Sequence, residues 1–258
     1  MIKVEDVYCG YGKKVVLSDV NLTVHRAELT CFLGENGSGK TTLFKTILGL
    51  LPVCKGEISF DGKKLNQLSY KDIARLISYV PQAHKSPFPL QVIDVVLMGQ
   101  YVHTPGMAGK PNKQNIEIAM NCIKILGIEK LTYRNFNQIS GGEKQMVLIA
   151  RAMAQQPEFI AMDEPTASLD IGNSMKVMNI ARTLKEKGYG VIMTTHSPEQ
   201  ARQFADKVIM LKNRTVFKTG SPDEILNSSI LSELYNTPIE MAETTISNGK
   251  KRKLLVTI

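Results

Sequence analysis

The chain lacks any apolar run that approaches the roughly 18 residues needed to cross a bilayer as a helix. Its longest apolar stretches, Val92–Met98 and Gln145–Ala150, are short and interrupted. The N-terminal residues Met1–Asp6 carry charges where a signal peptide would have its apolar segment. We therefore expect a cytoplasmic protein whose membrane contacts, if it has any, are made through other polypeptides.

Closely spaced cysteines are also lacking. The chain has four cysteines with no C-x-x-C pair among them, at Cys9, Cys31, Cys54 and Cys122. Structural zinc sites and disulfide frameworks both need paired or regularly spaced cysteines. We therefore expect four reduced thiols and neither a zinc site nor a disulfide framework.

The charge balance is basic, with a formal net charge of +8. Four of the positive charges fall in one run, Lys250-Lys251-Arg252-Lys253. A basic surplus can mark nucleic acid, anionic lipid or another anionic ligand. No aromatic residue is interleaved with the run, so we expect a solvated turn-and-strand face and no nucleic-acid partner.

Short β-rich segments alternate with helical patterns, which favours an α/β fold with a mostly parallel sheet. The first segments, Ile2–Tyr8, Val15–Leu17 and Val20–Val24, read instead as strands of a small antiparallel sheet. Helical periodicity dominates from about residue 83 to 157 and predicts an inserted α-helical subdomain. Near the C-terminus, Asn248-Gly249 joins two apolar or threonine-rich runs and predicts a β-hairpin.

A glycine-rich loop follows the buried strand Leu29–Leu33 and opens a helix. It fits G-x-x-x-x-G-K-[ST], in which backbone N–H groups surround phosphates and the lysine adds a full charge. The threonine hydroxyl can ligate Mg²⁺, so the loop predicts a site for a nucleoside triphosphate with Mg²⁺. By itself it does not separate a kinase, a GTPase and a transport ATPase. Its candidate ATP ligands are Gly34, Asn36, Gly37, Ser38, Gly39, Lys40, Thr41 and Thr42.

Two carboxylates follow the hydrophobic strand Phe159–Met162. At the end of a strand in a parallel sheet they would lie on the ligand edge. Asp163 is the natural Mg²⁺ partner together with Thr41, directly or through water. Glu164 can orient and polarise the attacking water as a general base.

The sequence Ile139-Ser140-Gly141-Gly142-Glu143 stands shortly before this acidic pair. It resembles the signature motif of ABC-type ATPases, and the resemblance covers about residues 1–235. The remaining residues, 236–258, form the predicted hairpin extension. For the first part the resemblance implies a P-loop, RecA-like core and hydrolysis of ATP.

The resemblance also implies further roles in the family's site. Tyr11 matches the aromatic residue that stacks on adenine, and Gln82 matches a residue that contacts Mg²⁺ or the attacking water. His196 matches a histidine that bonds the γ-phosphate, and Asp170 matches a residue at the dimer interface. In the family Ser140, Gly141 and Gly142 contact the nucleotide held by the opposite subunit, which implies a dimer of two copies enclosing two ATP molecules.

Three positions depart from the family pattern. Ile139 replaces the usual leucine, Glu143 stands where glutamine is commonest, and Ser197 follows the histidine where an acidic residue is frequent. A carboxylate at Glu143 could weaken contacts to an anionic phosphate. The apolar exchange at Ile139 is one that packed interiors tolerate.

The stretch Pro87–Gly99 and the continuation of the signature to Ala152 resemble the iron-siderophore, haem and cobalamin uptake group. This implies integral membrane permease subunits as partners, a solute-binding protein acting indirectly, and a place on the cytoplasmic face of the membrane. Met98-Gly99 would lie in the groove that receives a permease helix. Molybdate or zinc import and a soluble ATPase of cofactor assembly remain alternatives.

Overall fold

The structure is a computed structural model that describes residues 1–82, 88–103, 111–245 and 251–257. Within these ranges, side chains are described up to residue 244. The start of the predicted helical subdomain, the loop 104–110 and the Asn248-Gly249 turn lie outside the described residues. Within them the fold is α/β, with an antiparallel sheet and a mostly parallel sheet.

The antiparallel sheet has the strand order β2-β1-β4-β5. Its register pairs Ile2 of β1 with both Val24 of β2 and Phe60 of β4. Register shifts interrupt the β1–β2 pairing without ending it, so the two short strands predicted between Val15 and Val24 are one strand. The strands are β1 Ile2–Tyr11, β2 Lys14–Val24, β4 Val53–Phe60 and β5 Lys63–Lys64.

The second sheet has six strands in the order β10-β9-β3-β8-β7-β6. Only β10 is antiparallel to its neighbour, and the five other strands run parallel. Residues of β3, β7 and β8 are buried along their whole length, as expected for strands covered on both faces. The strands are β3 Leu29–Leu33, β6 Ile77–Val80, β7 Phe159–Met162, β8 Gly190–Thr195, β9 Lys207–Lys212 and β10 Thr215–Gly220.

Seven helices accompany these sheets up to residue 204 of the described chain. Most begin at a side-chain cap, such as Ser69, Ser140 and Ser197, whose hydroxyls accept a backbone N–H of the first turn. The helices are α1 Lys40–Ile47, α2 Tyr70–Leu76, α3 Val92–Leu97, α4 Lys113–Ile125, α5 Gly141–Ala154, α6 Ile171–Glu186 and α7 Pro198–Phe204.

The segment predicted to be helical contains α3, α4 and α5, which share one apolar core with the parallel sheet. Helical periodicity in the sequence extends from Val92 to Tyr101, but the α-helix ends at Leu97 and continues as a 3₁₀ turn, Met98–Val102. Gly99 of this turn lies against α5 so closely that a Cβ there would be 2.2 Å from the carbonyl oxygen of Arg151. Close packing against α5 therefore requires glycine at position 99, in the 3₁₀ turn that follows α3.

A C-terminal segment follows the parallel sheet and has two helices that the periodicity did not predict. They are α8 Pro222–Ile225 and α9 Ser228–Tyr235. Strands β11 Ile239–Thr245 and β12 Lys251–Thr257 then pair antiparallel, with Thr245 opposite Lys251. No helix in the described part of the chain is both long and apolar enough to span a membrane.

Phe159 joins the two sheets. Its side chain is fully buried and meets Phe60 edge to face, with ring centroids 6.4 Å apart. The Arg26 guanidinium lies 5.5 Å from the centre of the Phe159 ring and is paired with Asp61 and Glu158. Gly190 leaves the space that the ring fills, because a Cβ there would be 2.3 Å from it.

Replacing Phe159 by alanine should therefore lower the free energy of unfolding by about 3–5 kcal/mol, because it removes a large buried ring and leaves a cavity. Urea denaturation followed by circular dichroism measures the loss. The matched control is Tyr133→Ala, since Tyr133 is 72% exposed, and it should change stability by less than about 0.5 kcal/mol. Equal losses in the two variants would contradict the bridging role of Phe159.

Candidate functional site

The glycine-rich loop connects β3 to α1 along the carboxyl edge of the parallel sheet. Gly37 and Gly39 have φ angles of 83° and 102°, which side chains with a Cβ rarely adopt. Gly34 is required for space as well, since a Cβ there would be 2.5 Å from the carbonyl oxygen of Leu211. A cavity of about 170 Å³ opens over this loop, lined by Val16, Asn36, Gly37, Gly39, Lys40, Thr41, Thr42 and Glu164.

Lys40 is the cation of this cavity. It is 5% exposed, and its Nζ donates to the carbonyl oxygens of Gly34 and Glu35 at 2.7 and 2.9 Å. Burial lowers the pKa of Lys40, while the negative charges of Glu164, Asp163 and Glu35 act in the opposite direction. The loop therefore wraps around its own lysine and points this charge at the place where phosphates bind in such loops.

Asp163 lies directly after β7 and is held by hydroxyl groups. Thr194 of β8 donates to its Oδ1 at 2.7 Å, and Thr41 of the loop donates to the same oxygen at 3.5 Å. Tyr79 of β6 donates to Oδ2 at 3.3 Å. Desolvation raises the pKa of Tyr79 to about 12, and the Asp163 charge acts in the same direction, so this hydroxyl stays protonated.

Glu164 turns away from β7 with a φ of 44°, an uncommon value for a residue with a side chain. Its backbone N–H donates to the Thr194 hydroxyl at 2.8 Å. Its carboxylate accepts from Gln82 Nε2 at 3.3 Å and lies 3.8 Å from His196 Nδ1. The three predicted catalytic residues, Glu164, Gln82 and His196, thus lie together beside the loop.

The remaining predicted residues form a second group at the start of α5 and α6. Ser140 caps α5, and Asp170 caps α6 by accepting from the backbone N–H of Asn173 at 2.8 Å. A Cβ on Gly142 would lie 2.6 Å from the Asn173 side chain, so glycine lets the two helix starts pack together. Among the residues that the structure describes, no hydrogen bond or ion pair joins this group to the glycine-rich loop.

Tyr11 stands apart from both groups. It ends β1, where it pairs with Lys14, and its side chain is 48% exposed. An exposed ring at this position is free to stack on a planar ligand, and no contact of the described residues joins it to Lys40 or Asp163.

A family model of the ABC transporter domain matches residues 17–167 of this chain, more than half of its length. The chain belongs to the ABC transporter family. This membership explains the combination of a phosphate loop with the Ser140–Glu143 signature, and it makes the chain an ATP-binding ABC ATPase.

Two curated relatives show how far the similarity extends. The manganese transport system ATP-binding protein MntB of Bacillus subtilis is 37% identical, over 97% of this chain and 98% of the relative. The iron(3+)-hydroxamate import ATP-binding protein FhuC of the same organism is 30% identical, over 100% of this chain and 99% of the relative. The likeness to named ABC subunits thus extends over essentially the full chain.

Solved structures agree. An inward-facing transporter assigned to the metal-chelate type contains a chain that is 30% identical and superposes with a TM-score of 0.88, over 100% of this chain and 97% of that one. A bacterial ABC transporter cassette solved as a dimer is also 30% identical, with a TM-score of 0.73 over 86% of this chain and 99% of that one. The ABC fold, with its P-loop core, therefore holds for this chain.

Glu143 has a structural role in this ABC ATPase. Its carboxylate turns back onto Ser140, accepting from the backbone N–H and from the hydroxyl, both at 2.8 Å. These bonds hold the pKa of Glu143 below its usual value. The acidic residue at this position therefore completes the cap of α5.

The oxygens around Asp163 suit a magnesium ion. Mg²⁺ favours a few carboxylate and hydroxyl oxygens together with water and substrate phosphates. Thr41 and Asp163 supply that combination within 3.5 Å of each other, and the side-chain amide of Gln82 bonds the neighbouring Glu164. The buried Ser38 hydroxyl has no hydrogen-bond partner among the described residues, which leaves it available to a phosphate oxygen.

Two residues of the site, Thr194 and Tyr79, were not identified from the sequence. Thr194 bonds both Asp163 and the Glu164 backbone, and Tyr79 bonds Asp163 from the neighbouring strand. The sequence did offer one signal, because each residue belongs to a strand that ends at the ligand edge. No spacing rule, however, identifies a functional hydroxyl within a buried strand.

Replacing Thr194 by valine should keep the volume but leave the Asp163 oxygen and the Glu164 N–H without their shared partner. We expect a loss of about 1–3 kcal/mol in unfolding free energy and at least an approximately tenfold fall in ATP hydrolysis, because the Asp163 carboxylate and the Glu164 backbone lose their common anchor. Denaturant titration and phosphate release measure the two effects.

The matched control for this variant is Thr30→Val, which also removes a buried hydroxyl, one that bonds Glu28 at the opposite end of β3. It should lower stability and leave hydrolysis per folded molecule unchanged. A Thr194→Val enzyme with normal hydrolysis would show that this hydroxyl does not position the carboxylates.

Proposed function

We propose that this ABC ATPase energises uptake of a metal chelate, of iron-siderophore, haem or cobalamin type, through a separate permease. The observation that carries the ATPase part is the cluster of Lys40, Asp163, Glu164, Gln82 and His196 at one edge of the sheet. The protein would work at the cytoplasmic face of the membrane, held there by its permease. A solute-binding protein would act indirectly, by delivering the chelate.

In this proposal the chain divides as its sequence suggests. Residues 1–235 form the ATP-binding domain, with about residues 83–157 as its helical subdomain, and residues 236–258 form a C-terminal hairpin extension. The pairing of β11 with β12 supports the last assignment.

Hydrolysis follows from the positions of the charges. Lys40 and the loop N–H groups would bind the β- and γ-phosphates. Thr41, Asp163 and Gln82 would hold Mg²⁺, and the bound ion would supply positive charge to offset that of the phosphates. Glu164 orients the attacking water and accepts its proton, while His196 bonds the γ-phosphate and holds Glu164. Tyr11 stacks on the adenine.

The second group explains why two copies would act together. Ser140 and Gly141 are exposed at the start of α5, where the N–H groups of the first turn and the helix dipole favour an anion. Asp170 is exposed beside them. We propose that Ser140, Gly141 and Gly142 of one copy meet the γ-phosphate held by the other. The dimeric state of the 30% identical cassette supports this arrangement.

A groove beside Met98 and Gly99 supports a permease partner. It has a volume of about 440 Å³. The exposed side chains Leu50, Tyr70 and Met98 surround it, an apolar character that suits the apolar face of a helix. Tyr79 lines the same groove and bonds Asp163, so a helix seated there would touch a residue of the ATP site.

The solute assignment rests on the relatives and on the stretch before Gly99. FhuC is named for iron(3+)-hydroxamate import, and the structure that superposes over the whole chain is of a metal-chelate type transporter. A second candidate is import of an uncomplexed divalent metal ion, because the 37% identical MntB is named for manganese transport.

Replacing Glu164 by glutamine should keep ATP binding but lower turnover by at least about 100-fold, because the amide cannot accept the proton of the attacking water. Phosphate release and ATP affinity are measured separately, and size-exclusion chromatography with Mg²⁺ and ATP should show accumulated dimer. Glu129→Gln, an exposed change on another surface, is the control. Normal ATP turnover by the Glu164→Gln variant would show that Glu164 is not the general base.

The transport proposal predicts ATP-dependent uptake of a ferric hydroxamate by vesicles that contain this chain, the permease and the binding protein encoded beside it. Uptake should stop when the chain carries Glu164→Gln, because hydrolysis drives the cycle. Radiolabelled iron chelate, manganese ion and an amino acid are compared in parallel. Uptake of manganese alone would support the second candidate, import of a divalent metal ion, over import of a chelate. Uptake of the amino acid alone would contradict both candidates.

A further inference from the structure

The hydroxyl of Tyr235 contacts the loop that carries His196. Tyr235 is the last residue of α9, far from the ATP site in sequence, and its hydroxyl donates to the carbonyl oxygen of His196 at 3.3 Å. The ring of Tyr235 packs against the apolar core below the parallel sheet. A residue of the C-terminal segment thus reaches the backbone of a residue in the proposed catalytic group.

The His196 loop is short, because only His196 and Ser197 separate β8 from α7. Ser197 is held on both sides, by its N–H to the Thr195 hydroxyl at 3.1 Å and by its own hydroxyl to the Gln200 N–H at 3.2 Å. The peptide group between His196 and Ser197 is planar, so the bonds to its N–H and to its carbonyl oxygen together set its orientation next to the His196 Cα. Thr195 accepts from the N–H, and the Tyr235 hydroxyl donates to the carbonyl oxygen.

The imidazole itself has little else to hold it. Its side chain is 62% exposed, and its Nδ1 lies 3.8 Å from Glu164, beyond hydrogen-bond distance. A side chain as exposed as this one takes its direction from its backbone and from the ligand it meets. Backbone orientation is therefore the means by which the protein can aim this ring before the γ-phosphate is present.

The chemistry of Tyr235 fits a permanent donor. Burial raises its pKa to about 12, and the negative charge of Glu35 in the phosphate loop acts in the same direction. The hydroxyl consequently keeps its proton throughout the physiological range.

The rest of the C-terminal segment is tied to the same region. Arg202 of α7 donates to the carbonyl oxygen of Leu226 and lies 3.6 Å from the sulfur of Met241 in β11. The Ser232 hydroxyl of α9 accepts from the Ile239 N–H at 2.8 Å, which fixes β11 to the helix that ends in Tyr235. Lys212 holds the C-terminal end of α9 through the Asn236 side chain at 2.8 Å.

We propose that Tyr235 is a positioning residue for ATP hydrolysis, which aims His196 at the γ-phosphate through the His196 carbonyl. The C-terminal helix α9 is then a functional part of the ATP site. This inference rests on the role proposed above for His196.

The test is Tyr235→Phe in the full-length chain, which removes the hydroxyl and keeps the ring. The kcat for ATP hydrolysis should fall about threefold to tenfold, the range for loss of one hydrogen bond. The KM for ATP should change less than about twofold, because the loop and Lys40 are untouched. Thermal unfolding should stay within about 2 °C of the parent, because the ring still packs.

The matched control is Tyr189→Phe. Tyr189 is another half-buried tyrosine packed on the same core, but it precedes β8, whereas His196 follows the opposite end of that strand. Its kcat should match that of the parent. A comparable fall in kcat in both variants would mean that hydrolysis responds to any loss of a tyrosine hydroxyl in this core, and the proposal would be wrong.

A double-variant comparison separates this inference from the function on which it rests. His196→Ala should lower kcat strongly, and adding Tyr235→Phe to it should lower kcat no further, because the tyrosine acts through the histidine. If His196→Ala hydrolyses ATP normally, the proposed catalytic role of His196 fails and this inference with it. Suppose instead that His196→Ala is impaired. The present inference alone is then overturned if Tyr235→Phe has a normal kcat, or if Tyr235→Phe lowers kcat equally in the parent and in the His196→Ala variant.

Discussion

Parallel pairing of β3, β8 and β7 is the constraint on which the site depends. The register places Leu33 beside Thr195, and Met162 beside Met193, so all three strands end at the same edge. The phosphate loop follows β3, Asp163 follows β7 and His196 follows β8. Because side chains alternate along a strand, a slip of one residue in β8 would turn Thr194 to the other face of the sheet.

Thr194 shows what this register achieves. Its single hydroxyl donates to Asp163 and accepts from the backbone of Glu164, so it holds two neighbouring acidic residues in different directions. The left-handed backbone of Glu164 separates them further. One carboxylate consequently faces the Thr41 hydroxyl, where a magnesium ion fits, and the other faces Gln82 and His196, where water and phosphate would meet.

Much of this could be predicted from the sequence, because the motifs are local and their flanks fix the topology. The loop before Lys40 and the acidic pair after β7 both follow from local motifs. Contacts between distant strands could not be predicted in this way: Tyr79 meets Asp163 across 84 positions and Tyr235 meets His196 across 39. Such pairs depend on how strands and helices are finally arranged, and the sequence alone gives no rule for that.

The C-terminal helices were missed for a different reason. Helix α8 has four residues, too few for hydrophobic periodicity to be visible. A capping box and a proline at its first turn, in Ser221–Glu224, did mark its start. Helix α9 begins at the Asn227 cap and ends at Asn236 in the left-handed conformation, which are equally readable signals. Capping residues at helix ends therefore mark short helices that the spacing of apolar residues does not reveal.

Burial divides the site into two kinds of residue. Lys40 and Asp163 are almost wholly buried and bonded to the protein, whereas His196, Ser140 and Asp170 are exposed. Buried charges keep their positions because moving them would break bonds that water cannot replace. Exposed groups can move at little cost, so they can make their final contacts only when another molecule arrives. In the proposed function, a site built in this way would hold its phosphate and metal ligands ready and leave completion to assembly, which is the behaviour required of an ATPase that must hydrolyse only when its partners are in place.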